Sequence, residues 1–173
     1  MVDTVSAETR SRMMASVRRR DTKPEIAVRK ALHAAGFRFR VDVRSLPGSP
    51  DIVLARWKTA VFVHGCFWHR HDGCFHAATP ATRPEFWQSK FDANVARDRK
   101  SEEALLHLGW KVAIVWECGL SANENEGTIR DLIGFIRARE TSFSRTEFPG
   151  SPPRLRDVAC SASVVDAGRE QDA

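Results

Sequence analysis

The feature that most limits the fold of this chain is a long helix that separates two short apolar strands. Residues 59–63 and 110–116 are apolar runs of strand length, and residues 84–109 between them have helical periodicity. A strand–helix–strand connection is right-handed, so we expect the two strands to pair in parallel. The chain has 173 residues, enough for one domain with a full core. The pattern therefore predicts a small α/β domain with a central mixed sheet flanked by helices.

Two capping boxes indicate where helices begin. Residues 22–25 combine an N-cap threonine, a proline in the first turn and a glutamate three positions after the cap. They predict a helix that ends near Gly36, since glycine is common just past helix ends. Residues 82–85 repeat the pattern and predict the start of the long helix.

Two further strands are expected before the long helix. Residues 37–43 alternate apolar and charged side chains, the pattern of a half-buried strand. A loop rich in proline and glycine then leads to Asp51 and to the apolar run 52–55. This run and residues 59–63 are separated by a short turn, which predicts a β-hairpin.

The chain divides into a predicted folded domain and a tail. A last amphipathic helix is expected over residues 123–139, so the domain is assigned to residues 1–140. Residues 141–173 are rich in Ser, Pro and Arg without periodicity, and we predict that they form a disordered tail. Residues 1–20 are predicted to form a basic helix or arm.

Charge is concentrated near the start of the chain. Residues 1–44 hold eleven Lys and Arg against five Asp and Glu, a net charge of +6 in a chain whose total is +5. Such a segment suits a polyanion such as nucleic acid, although a solvated helix face would have the same composition. There is no apolar run long enough to span a bilayer and no secretory leader pattern, so we expect a cytoplasmic protein.

A cluster of cysteine and histidine predicts a metal site. Cys66, His71 and Cys74 follow the spacing C-x4-H-x2-C, and Cys118 stands just past a predicted strand. Together they form a Cys3His set suited to a tetrahedral structural zinc. Ordinary buried thiols are the alternative reading, and other candidates for the histidine ligand are His69 and His76. Cys160 lies in the predicted tail and is expected to be unligated.

A second constellation combines one carboxylate with two histidines. Asp51 opens one strand of the hairpin, His64 ends the other, and His69 follows in the next loop. A carboxylate at this position can hold a divalent cation, and a neutral imidazole can take a proton from water. A Pro-Asp pair is also common in turns, and either histidine could be a surface residue.

These residues belong to a set of motifs that resembles the very short patch repair (Vsr) DNA mismatch endonucleases. The similarity covers residues 8–137. The motifs occur in order at compatible spacing: Thr22-x-x-Glu25, Leu46-Pro-Gly-x-Pro-Asp51, Val61-Phe-Val-His-Gly-Cys-Phe-Trp-His69, Ala81-Thr-Arg-x-Glu-Phe-Trp87 and Leu108-Gly-Trp-x-Val-x-Ile-Val-Trp-Glu-Cys118.

The resemblance implies a restriction-endonuclease-like fold with a structural zinc held by the Cys3His set. It also implies magnesium-dependent nicking on the 5′ side of a thymine mispaired with guanine, the product of 5-methylcytosine deamination. Carried over by position, Asp51 and the main-chain carbonyl of Val63 would bind magnesium, and His69 would be the general base. Glu25 and His64 would hold water or phosphate.

The resemblance further implies how the mismatch is bound. Phe67, Trp68 and Trp87 are expected to insert beside it, with Met14 on the basic N-terminal helix approaching from the opposite groove, although the three aromatic side chains could instead belong to the core. Implied partners are double-stranded DNA with a T:G mismatch, mismatch-repair proteins, a repair polymerase and, functionally, a cytosine-5 DNA methyltransferase. A bacterial, nucleoid-associated monomer is expected.

Two other functions share parts of this pattern. A site-specific restriction nuclease of the same fold would need the metal site but not exposed Phe-Trp pairs, which suit opening a weakened base step. A zinc-stabilised DNA-binding module without catalysis would need neither Asp51 nor His69. Binding alone requires no proton acceptor, and a carboxylate that faces phosphates repels them.

Overall fold

A computed structural model of the chain describes residues 8–9, 12, 20–121, 125–138 and 144–148. Met14 and most of the basic arm therefore lie outside the described residues, as does Cys160. In chain order the helices are α1 (Lys23–Ala34), α2 (Cys66–His69), α3 (Pro84–His107) and α4 (Asn125–Arg137). The strands are β1 (Ile52–Leu54), β2 (Thr59–His64), β3 (Lys111–Trp116) and β4 (Arg145–Phe148). None of the described helices combines the length and apolarity that a bilayer span requires.

The four strands form one mixed sheet in the order β1-β2-β3-β4. β1 and β2 pair antiparallel through a tight turn, which confirms the predicted hairpin. β2 and β3 pair in parallel from Thr59 opposite Lys111 to His64 opposite Trp116, with α3 as the connection. The prediction of a parallel pair on either side of the long helix is thus confirmed.

Apolar side chains cover both faces of the sheet. Val61, Ala113 and Val115 point to the face covered by α1 and α4. Phe62, Ile114 and their neighbours point to the other face and pack against α3 and the Cys66 segment. Because strand side chains alternate, β2 and β3 build both cores with consecutive residues.

Two predictions about strands were wrong. Residues 37–43 do not form a strand but make a single bridge between Arg40 and Val53. Asp42 has a φ of 56°, a left-handed conformation that interrupts an extended chain. The predicted tail over residues 141–173 began too early in the chain, because Arg145–Phe148 forms β4 and pairs in parallel with β3. Residues 149–173 lie outside the described residues.

The two capping boxes differ in the structure. At α1 the Thr22 hydroxyl accepts a hydrogen bond from the Glu25 N–H, as predicted. At α3 the N-cap residue is Arg83, with a φ of 55° and no side-chain cap, so the predicted capping box at residues 82–85 was wrong. The helix begins at Pro84, whose missing N–H costs nothing in the first turn.

One glycine brings the loop before Asp51 against α3. A Cβ atom on Gly48 would lie 2.7 Å from the Cβ of Ser101, and the φ of Gly48 is +72°. Only glycine fits both the conformation and the space. The loop therefore packs against α3, and Asp51 lines the same cleft as residues of α3.

Candidate active site and metal centre

Asp51 precedes β1 and is fixed by the neighbouring strand. Its Oδ2 accepts a hydrogen bond from the main-chain N–H of Val63, with an N···O distance of 2.7 Å. The pKa of Asp51 is raised to about 6. Burial is the main cause and the charge of Glu25 adds to it, whereas the hydrogen bond from Val63 acts in the opposite direction. A carboxyl group with these properties binds a proton or a cation more readily than an exposed aspartate.

Glu25 is buried at the start of α1, in the same cleft as Asp51. Its Oε1 accepts from the Thr22 hydroxyl at 2.8 Å, and its Oε2 accepts from the Asp21 N–H at 3.0 Å. The Arg29 guanidinium donates to Oε2 at 2.8 Å. Glu25 therefore takes part in the helix cap, with Asp21 rather than Thr22 as the main-chain donor to its carboxylate, and lines the cleft at once.

The two candidate histidines stack on each other. The ring centroids of His64 and His69 are 3.9 Å apart and their planes differ by 8°. His64 is buried at the end of β2, and its pKa is lowered to about 3. Burial is the main cause, and the charge of His69 is the second. His64 is therefore neutral at physiological pH.

A residue that the sequence analysis did not identify lies against His69. Asp98 on α3 places its Oδ2 2.6 Å from His69 Nδ1. Burial works to raise the pKa of Asp98, but the hydrogen bond and charge of His69 outweigh it, so the pKa is lowered. An ionised carboxylate here fixes the orientation of the imidazole, as in other His–Asp pairs.

A signal for Asp98 existed in the sequence. The buried stripe of α3 runs through Trp87, Phe91 and Leu105 at helical spacing. Asp98 and Glu102 fall on the same stripe, and polar residues on a buried helix face need partners. That spacing identifies Asp98 as a buried acid, although it cannot name His69 as its partner.

The predicted metal ligands converge in space. One ligand atom from each of Cys66, His71, Cys74 and Cys118 lies within 4.8 Å of the others. His71 Nδ1 is 3.6 Å from the Cys66 sulfur and 3.3 Å from the Cys118 sulfur. Ligands of a tetrahedral zinc with ordinary bond lengths are separated by about 3.5 Å, so the donor set fits such an ion. The other candidates do not join this group: His69 contacts Asp98, and His76 is exposed.

The surroundings of this cluster are also organised. Burial raises the pKa of the Cys66 thiol and lowers the pKa of His71. The His71 ring stacks on Trp116 at 4.3 Å, and the Trp116 indole N–H donates to Glu147 of β4 at 3.0 Å. Glu117 accepts a hydrogen bond from the Cys66 N–H at 2.9 Å. Neither acidic residue was identified from the sequence.

Four aromatic side chains form a cluster beside the histidines. Phe67 lies 5.1 Å from Trp68, 5.5 Å from Trp87 and 5.1 Å from Phe91, measured between ring centroids. Phe67 and Trp68 are half-buried, whereas Trp87 is only 8% exposed. The expectation of two exposed Phe-Trp pairs was therefore wrong for Trp87, while its neighbour Phe86 is 52% exposed.

One open cleft of about 1700 Å³ contains most of these residues. Asp51, Glu25, His64, His69 and Asp98 line it together with Trp68 and Trp87. Its basic lining residues are Arg20, Arg29, Arg83, Lys90 and Arg97. The arrangement combines acid–base groups, oxygen donors for a cation and individual basic side chains that can contact phosphates.

Comparison with known proteins identifies the family. Residues 2–75 match the family model described as DNA mismatch endonuclease Vsr. The chain is 45% identical over 124 residues to the DNA mismatch endonuclease Vsr of Escherichia coli (strain K12), covering 72% of this chain and 79% of that protein. It is 49% identical over 121 residues to the type II nicking enzyme V.XorIIP of Xanthomonas oryzae, covering 70% of this chain and 88% of that protein. The chain belongs to the Vsr family of DNA mismatch endonucleases.

Proposed function

We propose that this chain is a magnesium-dependent endonuclease that nicks one DNA strand on the 5′ side of the thymine in a T:G mismatch. Such a mismatch arises from deamination of 5-methylcytosine, and the nick would start very short patch repair. The proposal rests on the convergence of Asp51, His64, His69 and Asp98 in one cleft of a chain from this family. The mixed sheet with Asp51 at the start of a hairpin strand supports a restriction-endonuclease-like fold.

We assign Asp51 and the main-chain carbonyl of Val63 as ligands of magnesium. Both groups are hard oxygen donors, which Mg²⁺ prefers, and the main-chain N–H of Val63 donates a hydrogen bond to the Asp51 carboxylate, which keeps the two residues adjacent. When bound, the ion supplies positive charge that polarises the scissile phosphate and activates water. Glu25 and neutral His64 line the same cleft and are assigned to hold water or phosphate oxygens.

His69 is assigned as the general base, with Asp98 as its positioning residue. When His69 donates its Nδ1–H to Asp98, the lone pair on Nε2 is available to take a proton from the attacking water. The carboxylate then stabilises the imidazolium that results. The stacked His64 remains uncharged, so it does not compete for that proton.

The cysteine and histidine cluster is assigned to a structural zinc. Thiolates are soft donors that select zinc over magnesium, and three sulfurs with one imidazole complete a tetrahedral shell. Since all four positions are filled by protein, this ion has no open position for catalysis. Its role would be to hold the segment with Phe67, Trp68 and His69 against β3 through Cys118.

DNA recognition is assigned to the aromatic cluster and to the basic residues. Phe67 and Trp68 would insert beside the mismatch, with the largely buried Trp87 packed against them, and Met14 of the N-terminal segment would approach from the opposite groove. Wedge insertion costs less beside a wobble pair because its base step is less well stacked. The basic side chains that line the cleft would neutralise phosphates. We further propose that the chain is a monomer associated with the nucleoid. It would act together with mismatch-repair proteins and a repair polymerase, and its function would be linked to that of a cytosine-5 DNA methyltransferase.

Cleavage of defined duplexes tests this function. End-labelled duplexes that differ only in T:G against C:G are incubated with the full chain, in several sequence contexts, with Mg²⁺ or with EDTA. We expect a single nick on the 5′ side of the mispaired thymine that requires Mg²⁺. A double-strand cut of matched DNA would indicate a restriction nuclease instead, and binding without any cleavage would indicate a non-catalytic module.

A further inference from the structure

A largely buried ion pair lies in the cleft that contains the proposed magnesium ligand Asp51. Arg29 is one helical turn beyond Glu25 on α1, and its guanidinium lies 2.8 Å from Glu25 Oε2 and 2.5 Å from Asp21 Oδ1. The side chains of Glu25 and Arg29 are only 5% and 16% exposed. Both line the cleft that contains Asp51.

Glu25 does not need Arg29 for the helix cap. The Thr22 hydroxyl and the Asp21 N–H already donate to one carboxylate oxygen each, and the Glu25 N–H donates to the Thr22 hydroxyl. An exposed pair at this spacing would contribute only a few tenths of a kcal/mol. A buried arginine also loses hydration, and the Nε–H of Arg29 has no acceptor among the described residues. Helix stability alone is therefore a weak reason for this arginine.

The charges in the cleft supply a stronger reason. Glu25 and Asp51 are two carboxylates close enough to repel each other, and Arg29 acts on Asp51 in the opposite direction to Glu25. A positive charge beside both carboxylates stabilises the site while no divalent cation is present. The same charge repels a divalent cation that approaches Asp51.

We propose that Arg29 is the resident counter-cation of the metal site: it holds Glu25 beside Asp51 when no ion is bound, and it lowers the affinity of the site for divalent cations. This inference rests on the proposed function, because it assumes that Asp51 binds the ion. Arg29 is thus a positioning residue that acts through Glu25 and through its charge.

Calorimetric titration of the full chain with Ca²⁺, an oxygen-seeking ion, tests the inference without relying on activity. We expect Arg29→Met and Arg29→Gln to lower the Kd for Ca²⁺ about 3- to 10-fold, because one positive charge near the ion is removed. Arg29→Lys keeps that charge and should stay near the wild-type value. Lys30→Met is the matched control, since it removes an exposed charge from the same helix and should change Kd less than 2-fold.

A second measurement covers the state without metal. In EDTA, Arg29→Met and Arg29→Gln should melt below Lys30→Met, because Glu25 and Asp51 are left without their counter-cation. An unchanged or raised Kd for Ca²⁺ in both Arg29 variants would overturn the inference, as would wild-type protein that binds no Ca²⁺ at Asp51. The proposed function is judged separately, by whether the wild-type chain nicks T:G duplex with Mg²⁺.

Discussion

His69 and Asp98 are 29 positions apart in the chain, yet His69 Nδ1 lies 2.6 Å from Asp98 Oδ2. The short helix α2 after β2 carries the histidine, and the middle of α3 carries the carboxylate. Because both side chains are largely buried, 24% and 17% exposed, water competes little for this contact. The pair gives the proposed general base a fixed orientation on a rigid helix.

The first prediction concerns Asp98. Asp98→Asn should lower kcat for nicking about 10- to 10³-fold, because an amide neither fixes the tautomer nor stabilises the imidazolium. Binding of T:G duplex should be unchanged, and the pH dependence of kcat should shift. Asp92→Asn, an exposed position on the same helix, is the control. Equal kcat and pH profile in wild type and Asp98→Asn would remove Asp98 from the mechanism.

The second prediction concerns pH and stability. A carboxyl whose folded pKa is raised to about 6 is stabilising while protonated, and this contribution is lost as pH rises through 6. In EDTA, Asp51→Asn should therefore be more stable than wild type at pH 8, by about 1–3 kcal/mol. The difference should vanish below pH 4. Thermal melts across this range provide the measurement, and a constant difference at all pH values would contradict the assigned burial effect.

The third prediction concerns the zinc. The purified chain should contain one zinc ion, and Cys66→Ser or Cys118→Ser should lose it together with several kcal/mol of stability. His76→Ala, which changes an exposed histidine of the same segment, should retain the metal. Elemental analysis and thermal melts measure both effects. A stable, active preparation without zinc would refute the assignment.

The sequence predicted those parts of the fold that depend on local patterns. The hairpin, the long helix and the parallel pairing of β2 with β3 follow from apolar periodicity and connection handedness. The metal-ligand set follows from chemistry-bearing residues at short spacing, with Cys118 added by its place at a strand end.

The missed features depend on contacts distant in the chain. β4 has little apolar content, and its charged side chains have partners elsewhere: Arg145 pairs with Glu102 of α3 at 2.5 Å, and Glu147 accepts a hydrogen bond from Trp116 of β3 at 3.0 Å. Such charged residues resemble a solvated tail until their partners on α3 and β3 are known. For residues 37–43 the sequence pattern predicted a strand that does not form. Apolar and charged side chains do alternate there, but the positive φ of Asp42 interrupts the extended backbone.

The fourth prediction concerns mismatch selection. Trp68→Ala should weaken binding to T:G duplex by about 1–3 kcal/mol, the usual worth of one base stacked on an aromatic ring. Binding to matched duplex should change far less. Because Trp68 is half-buried against Phe67, only a small loss of thermal stability is expected. Phe75→Ala, a 70% exposed aromatic in the same region, is the control.

A different outcome would indicate that Trp68 is a core residue and not a DNA contact. If Trp68→Ala unfolds the protein at much lower temperature and leaves the ratio of T:G to matched binding unchanged, the cluster is structural. Discrimination would then depend on other residues that line the cleft.

The most direct test of the proposed active site is Asp51→Asn, assayed for binding and for nicking on the same T:G duplex. Asp51 is the assigned magnesium ligand, whereas the basic side chains that line the cleft are assigned to contact phosphates, so the two properties should separate. We expect nicking to be lost while the Kd for T:G duplex stays within about 3-fold of wild type. Nicking by Asp51→Asn at a near-normal rate would contradict the assignment of this cleft as the catalytic site.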